Sequence, residues 1–230
     1  MLRTIIGLVA NRVEVAHYRL NDDAATQVLV DSSSSGYNLT RAVEDSADRT
    51  VIGKVNSAQE FTASGEYACR MPLPNGTAGA IMAWCNFTAG STGQTIVSQR
   101  IAGIENIDYQ IATADAIGNI KFRGTFDSMS KEITTSTPPS GTFHVAVIWA
   151  NGTCAMYING SQVGSFTYAA YTPAEATGAM FCVGGRDFSA GLQLNGWLDD
   201  VRVYNTEITA GDLARVYNQG NGTELRLEEI

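Results

Sequence analysis

The stretch FHVAVIWANGTCAMYINGSQVGSF, residues 143–166, leaves a chain little choice of local structure. Asn151-Gly152 and Asn159-Gly160 each supply the two residues of positive φ that a type I′ turn requires, so two successive hairpins are predicted. With Asn151-Gly152 as a two-residue loop, Ala150 faces Thr153. Counting outward then pairs Trp149 with Cys154, Val147 with Met156 and Val145 with Ile158. That face is wholly apolar. The opposite face carries Ile148 with Ala155, Ala146 with Tyr157 and His144 with Asn159, a mixed set suited to a wetter surface. A one-residue slip would exchange the two sets, so the pattern itself sets the register. Val163, on the next strand, is expected beside Met156 on the core side.

The same grammar runs along the chain. Short runs rich in Val, Ile, Thr and Tyr alternate with Gly, Asn, Ser and Pro clusters at intervals of roughly ten residues, the pattern of many antiparallel strands. Strands are predicted at 13–20, 51–62, 66–71, 79–87, 95–99, 107–113, 119–125, 143–149, 153–158, 162–168, 179–184 and 192–204. One helix is predicted, with Thr209 as N-cap, Asp212 as the acidic half of a capping box, and Leu213, Val216 and Tyr217 on one stripe before Gly220. It is too short to stand alone, so its stripe must lie on the strands, closing one edge. The expected fold is an all-β jelly-roll sandwich of two antiparallel sheets with one short C-terminal helix, built as an arm (1–13), a domain (14–220) and a tail (221–230).

Charge narrows the partners. The 230 residues carry a formal net charge of -8, spread along the chain, and only Lys54, Lys121 and Lys131 among the 15 basic residues are lysine. No basic cluster is visible in the sequence, so nucleic acid is a poor partner. No run approaches the ~20 apolar residues of a membrane span, and the apolar stretch Ile5 to Ala10 has neither the length nor the cleavage site of a secretory signal. Four widely spaced cysteines (Cys69, Cys85, Cys154, Cys182) form no CxxC pair and have no histidine near them. They read as buried thiols in preference to disulfides or zinc ligands.

Four blocks resemble the laminin-G-like jelly-roll domains of the concanavalin-A-like lectin and glucanase superfamily. They are VAHYRLNDDAATQVLVDSSSSGYNLT near the start, GKVNSAQEF, the hairpins FHVAVIWANGTCAMYINGSQVG, and NGWLDDVRVYNTEITAGDLARVYNQG near the end. Together they cover about 14–220, with a weak match over 88–140. Phe143 stands where the family commonly has tryptophan, and the single His144 where two histidines are frequent. The resemblance implies a structural Ca²⁺ held by Asp22 or Asp23, Asp31, and Asp199 or Asp200, hard oxygen donors of the kind calcium takes. Read without it, the same aspartates are turn formers in Asx-type hydrogen bonds.

Catalytic chemistry finds little support. A nucleophilic triad needs a histidine, and His17 and His144 both fall in strand-like blocks. Glycosidases of this fold place paired carboxylates on one strand face. Glu105 and Asp108 in IENIDY are three apart, which puts them on opposite faces of a regular strand. A sugar platform would need exposed aromatics, for which Tyr157, Tyr168, Tyr171 and Phe188 are candidates. The sequons at Asn38, Asn75, Asn86, Asn151, Asn159 and Asn221 double as turn chemistry and mark exposed loops.

The function expected is therefore non-catalytic. It is a surface-displayed module, either an accessory or decoration protein of a virus or phage particle that contacts capsid or tail chains and possesses a glycan-binding role, or a secreted or cell-surface carbohydrate-binding or adhesion module. Homo-oligomerisation through the arm fits the first setting. A glycoside hydrolase ranks last.

Overall fold

The computed structural model describes residues 14–22, 27–41, 49–61, 68–70, 72–90, 93–101, 107–171, 179–186 and 192–230. The arm 1–13, Asp23, Glu105 and Phe188 lie outside the described residues. In chain order the strands are β1 (Glu14–Tyr18), β2 (Val28–Leu29), β3 (Leu39–Arg41), β4 (Thr50–Ile52), β5 (Ser57–Phe61), β6 (Ala68–Arg70), β7 (Gly79–Phe87) and β8 (Thr95–Ile101). They continue as β9 (Ile107–Thr113), β10 (Ile120–Phe126), β11 (Met129–Thr134), β12 (Phe143–Ala150), β13 (Thr153–Ile158), β14 (Ser161–Thr167), β15 (Ala179–Val183) and β16 (Gly196–Tyr204). They form two antiparallel sheets. The first runs β14-β13-β12-β7-β16-β5-β4, with β1 also on β16, and the second runs β11-β10-β9-β8-β15-β6-β3-β2. The expected two-sheet sandwich is the fold.

The hairpin register is the predicted one: Trp149 pairs with Cys154, Val147 with Met156 and Val145 with Ile158. Asn151 and Gly152 sit at φ 50 and 77, as do Asn159 and Gly160, the type I′ geometry that Asn-Gly adopts at little steric cost. Val145, Val147, Trp149, Met156 and Val201 join Phe122, Phe126, Phe143 and Phe181 in the core between the sheets, and Ile158 packs against its margin. Each fully buried side chain of this size contributes roughly 1.5–3 kcal/mol.

Three expectations need correction. Val163 is not in the core. The β13–β14 register shifts between Met156 and Tyr157, so Gly164 faces Met156 while Val163 is 41% exposed. A Cβ at Gly164 would lie 2.4 Å from the Ile133 side chain, so the bulge presents a glycine where β11 needs room. The second hairpin face is also drier than expected: Ala146, Ile148 and Ala155 are buried. The cover is the helix α1 (Ala210–Tyr217), whose Leu213 and Val216 pack with Ala80, Met82, Ala146, Ile148 and Tyr204 across the outer face of the first sheet, not at its edge. Its capping box is the predicted one, with the Thr209 hydroxyl accepting from Asp212 N–H at 3.2 Å and the Asp212 carboxylate accepting from Thr209 N–H at 3.0 Å. Residues 221–230, set apart in sequence as a tail, close the same face through buried Leu227.

The thiol reading also changes. Cys69 on β6 and Cys182 on β15 stand directly opposite and form a disulfide across 113 residues, while Cys85 and Cys154 are buried and free. Predicted segment 51–62 is in fact two strands, β4 and β5, and β2, β3 and β11 were not predicted.

Candidate functional site

The aspartates implied as calcium ligands do different work. Asp31 organises its own corner: Oδ1 accepts from His17 N–H at 2.9 Å and Ser33 N–H at 2.8 Å, and Oδ2 from the Ser33 hydroxyl at 2.9 Å and Tyr37 N–H at 2.7 Å. Asp22 Oδ1 accepts from Val30 N–H at 3.2 Å. The Leu198-Asp-Asp-Val201 run contains a bulge, with Asp200 in the left-handed region at φ 49, so Leu198 and Val201 both enter the core and both aspartates are buried on the outer face. There Asp200 meets Arg202, whose Nη2 lies 3.0 Å from Oδ1, and His17, whose Nε2 lies 2.6 Å from the same oxygen. Burial pushes the Asp200 carboxyl up, but Arg202 and His17 outweigh it and hold it below its ordinary value.

These residues do not fit calcium. Asp31 already takes four protein donors, and a dication at Asp200 would face a guanidinium. Among the described residues no group of three or more His, Cys, Asp or Glu side chains could hold a metal ion.

Asp199 and His144 lie in one row across β16, β7 and β12, with Trp84 between them. Asp199 Oδ2 accepts from Lys54 and Val55 N–H, both at 2.7 Å, and Trp84 packs on His144 with ring centroids 5.0 Å apart. Burial pushes the Asp199 carboxyl up to about 7, opposed by the Val55 hydrogen bond and reinforced by the Asp200 charge. Burial pushes the His144 imidazole down to about 4. The two act on stability in opposite senses. Between its ordinary 3.8 and about 7, Asp199 keeps a proton in the fold that the unfolded chain releases, so this contribution is full at low pH and is lost as pH rises through about 7. His144 stays neutral in the fold while the unfolded chain protonates below 6.5, so its contribution is full above 6.5 and is lost as pH falls towards about 4. Each slope is about 1.4 kcal/mol per pH unit, and they largely cancel within the shared window. Asp199→Asn should expose the histidine slope, with stability relative to wild type falling by roughly 3 kcal/mol from pH 6.5 to 4. His144→Phe should leave the opposite slope. Urea midpoints across pH measure both, and parallel curves for the variants and wild type would refute the assignment.

The remaining sequence candidates are structural or lie elsewhere. Tyr171 is buried, stacked on Phe126 with centroids 4.6 Å apart, and Tyr168 packs on the same ring at 4.9 Å. Tyr157 packs beside the helix-covered cluster. None is an open sugar platform. Asp108 is buried and accepts from Asn75 and Gln99 side chains, each at 3.3 Å. Among the sequons, Asn86 lies inside β7 instead of a loop.

An open concavity lies on the outer face of the second sheet. Strand β10, Ile-Lys-Phe-Arg-Gly-Thr-Phe, alternates strictly, with Ile120, Phe122 and Phe126 in the core and Lys121 and Arg123 on the other face. Across the β9–β10 ladder Lys121 faces Ala112 and Arg123 faces Gln110. These residues, with Thr113, Arg186 and Leu192 and the small Gly93 and Ala114, line a cleft of about 210 Å³. The Ser98 hydroxyl donates to Arg186 C=O at 2.7 Å and fixes the cleft wall, and Gln110 donates to the Thr95 hydroxyl at 2.9 Å. Arg123 Nε donates to Ser130 at 2.7 Å, while Lys121 lies 4.0 Å from Glu132 at an exposed rim. Among the described residues the lining holds three cations and no carboxylate. Sequence reasoning missed it, although the period-2 placement of Lys121 and Arg123 was a usable signal.

A family model described as the concanavalin A-like lectin/glucanases superfamily matches residues 71–214. No curated protein sequence matches the chain. Among solved structures, domain 4 of AbnA, a GH43 extracellular arabinanase from Geobacillus stearothermophilus in complex with arabinotriose, superposes with TM-score 0.64 at 18% identity, covering 92% of this chain and 99% of that one. The binding domain of Paraclostridial Mosquitocidal Protein 1 gives 0.63 at 14% identity, over 90% of this chain and 52% of that one. The botulinum neurotoxin serotype D ligand binding domain in complex with N-acetylneuraminic acid gives 0.60 at 17% identity, over 89% and 50%. The chain thus spans about half the length of these toxin domains and the whole of the arabinanase domain.

Proposed function

The chain belongs to the concanavalin A-like lectin/glucanases superfamily, and from that premise we propose that it is a non-catalytic glycan-binding module with its ligand in the cleft on the outer face of the second sheet. The observation that carries this reading is the cleft lining. It offers hydrogen-bonding groups at Gln110, Thr113, Lys121, Arg123 and Arg186 beside an apolar Leu192, and among the described residues no carboxylate to serve as acid, base or nucleophile in glycoside hydrolysis. The closely spaced acids Glu14, Asp199 and Asp200 are buried on the opposite face of the molecule, where Arg202 and His17 occupy Asp200. Support also comes from similarly folded domains solved with arabinotriose and with N-acetylneuraminic acid.

The setting proposed is an oxidising exterior, the surface of a virus or phage particle or of a cell, where the module meets glycans. The Cys69–Cys182 disulfide supports it, since such bonds persist outside reducing compartments. Detection of the chain on purified particles, against its presence only in the medium, separates the two settings.

Affinity electrophoresis through gels containing arabinan, sialylated glycoprotein or other polysaccharides, paired with an assay for released reducing ends, tests the activity. The expected result is retardation by at least one polysaccharide, weakened in Gln110→Ala, with no reducing ends released. Release of reducing ends by the wild type would replace the binding reading with a hydrolase.

A further inference from the structure

We propose that the chain carries a second saccharide site, on the outer face of the first sheet at the end that α1 leaves uncovered, where Trp197 stacks on a neutral sugar ring and Glu60, Asn86 and Thr142 bond its hydroxyls. This site is separate from the cleft on the second sheet and does not depend on it.

The first ground is a large ring with no packing role. Leu198 enters the core, so its strand neighbours Trp197 and Asp199 point to the outer face. Trp84 and Trp149 are each 2% exposed, whereas Trp197 is only half-buried. Trp197 joins neither the core between the sheets nor the cluster under α1, and among the described residues no ring or cation stacks on it. A single exposed apolar side chain is ordinary on a protein surface. The neighbours make this one specific.

Those neighbours are the second ground. Trp197 pairs with Glu60 of β5 on one side and with Asn86 of β7 on the other. Directly opposite residues share a face with Cβ atoms about 5 Å apart, so the three side chains form one row. Asn86 donates to the Thr142 hydroxyl at 3.4 Å, which extends the row towards β12. The Glu60 carboxylate is half-buried and, among the described residues, accepts no hydrogen bond and makes no ion pair. Beside the ring, β16 and β7 leave no room for a Cβ at Gly196, which would meet the Asn86 carbonyl oxygen, so the platform is rigid before a ligand arrives.

The third ground is the match to the ligand. A sugar ring has an apolar C–H face and an edge of hydroxyls that donate and accept. The indole takes the face, Glu60 accepts, and Asn86 and Thr142 do both. Glu60 and the formal net charge of -8 repel carboxylated and sulfated sugars, so the ligand is neutral. The Lys54–Val55 loop, tied by its N–H groups to Asp199 Oδ2 two residues along β16, bounds the platform on one side.

Acrylamide quenching of tryptophan fluorescence in the full chain reads this site, because Trp84 and Trp149 are buried. Neutral arabinan, glucan, galactan, xylan and mannan oligosaccharides are the probes, with a uronic-acid oligosaccharide beside them and calorimetry for affinity. The expected result is that at least one neutral probe slows quenching in wild type and in Gln110→Ala alike, while the acidic probe does not. Its affinity should fall at least ~tenfold in Glu60→Ala and in Trp197→Ala, and less in Trp197→Phe, which keeps a ring. Glu60→Ala should keep the wild-type urea midpoint. Protection by no neutral probe, or unchanged affinity in Glu60→Ala, overturns the inference and leaves the cleft reading standing. Protection lost in Gln110→Ala also overturns it, since the sugar would then sit in the cleft.

Discussion

Replacing Arg202 with methionine is expected to destabilise the fold by about 3–5 kcal/mol, the range for removing one partner from a buried ion pair. Arg202 is wholly buried; it donates through Nε and Nη2 to Asp200, through Nη1 to Leu225 C=O at 2.8 Å and through Nη2 to Thr223 C=O, with Glu14 3.8 Å from Nη1. Methionine fills much of the volume but leaves the Asp200 carboxylate without its guanidinium, with the His17 ring still against it, and two carbonyls without their donor. The penalty is a buried carboxylate that has lost its guanidinium, so adding Asp200→Asn should recover part of it, with an interaction energy of roughly 0.5–3 kcal/mol. Arg202 also ties residues 223–225 to β16, and amide exchange in 221–230 should accelerate in the single variant. A midpoint within experimental error of wild type would show that the guanidinium does not hold this face together.

Breaking the Cys69–Cys182 bond is expected to cost about 2–5 kcal/mol. The bond closes 113 residues, and in the chain-entropy account a loop of ~100 residues lies near the upper end of that range. It joins β6 to β15 on the outer face of the second sheet, outside the main core, so its loss opens no cavity there. Guanidinium unfolding of wild type with and without reductant, beside Cys69→Ala/Cys182→Ala, measures the effect. The variant should match reduced wild type and ignore reductant. Denatured, unreduced wild type should titrate two thiols, Cys85 and Cys154; four thiols would refute the pairing.

What could be read from the residues follows the range of the forces involved. The β12–β13 hairpin was legible to the residue because Asn-Gly imposes its turn locally and an apolar face then selects one register. Helix α1 was legible because Thr209 and Asp212 cap it within four residues. The turn before β11 was missed because Asp127 and Ser128 adopt the same positive φ, 54 and 59, without a glycine. Asp127 is held by the Ala169 and Ala170 N–H groups and by Lys131, the first two more than forty residues away. The Val163 bulge depends on Ile133 of another strand, and the disulfide on two segments becoming neighbours. The cleft is of the same kind: Lys121 and Arg123 alternate visibly along β10, but Gln110, Arg186 and Leu192 reach them only through the sheet order. The calcium expectation came from resemblance, and Arg202 two residues after Asp200 is the local feature that argues against it.

The proposed function places a glycan in the cleft and leaves it chemically unchanged. Amide chemical-shift mapping during titration with a retarding saccharide tests it most directly, with the saccharide recovered afterwards. The expected result is shifts concentrated at Gly93, Gln110, Thr113, Lys121, Arg123 and Arg186 and a saccharide recovered intact. Shifts concentrated on the helix-covered face of the first sheet or at its edges, or a cleaved saccharide, would contradict it.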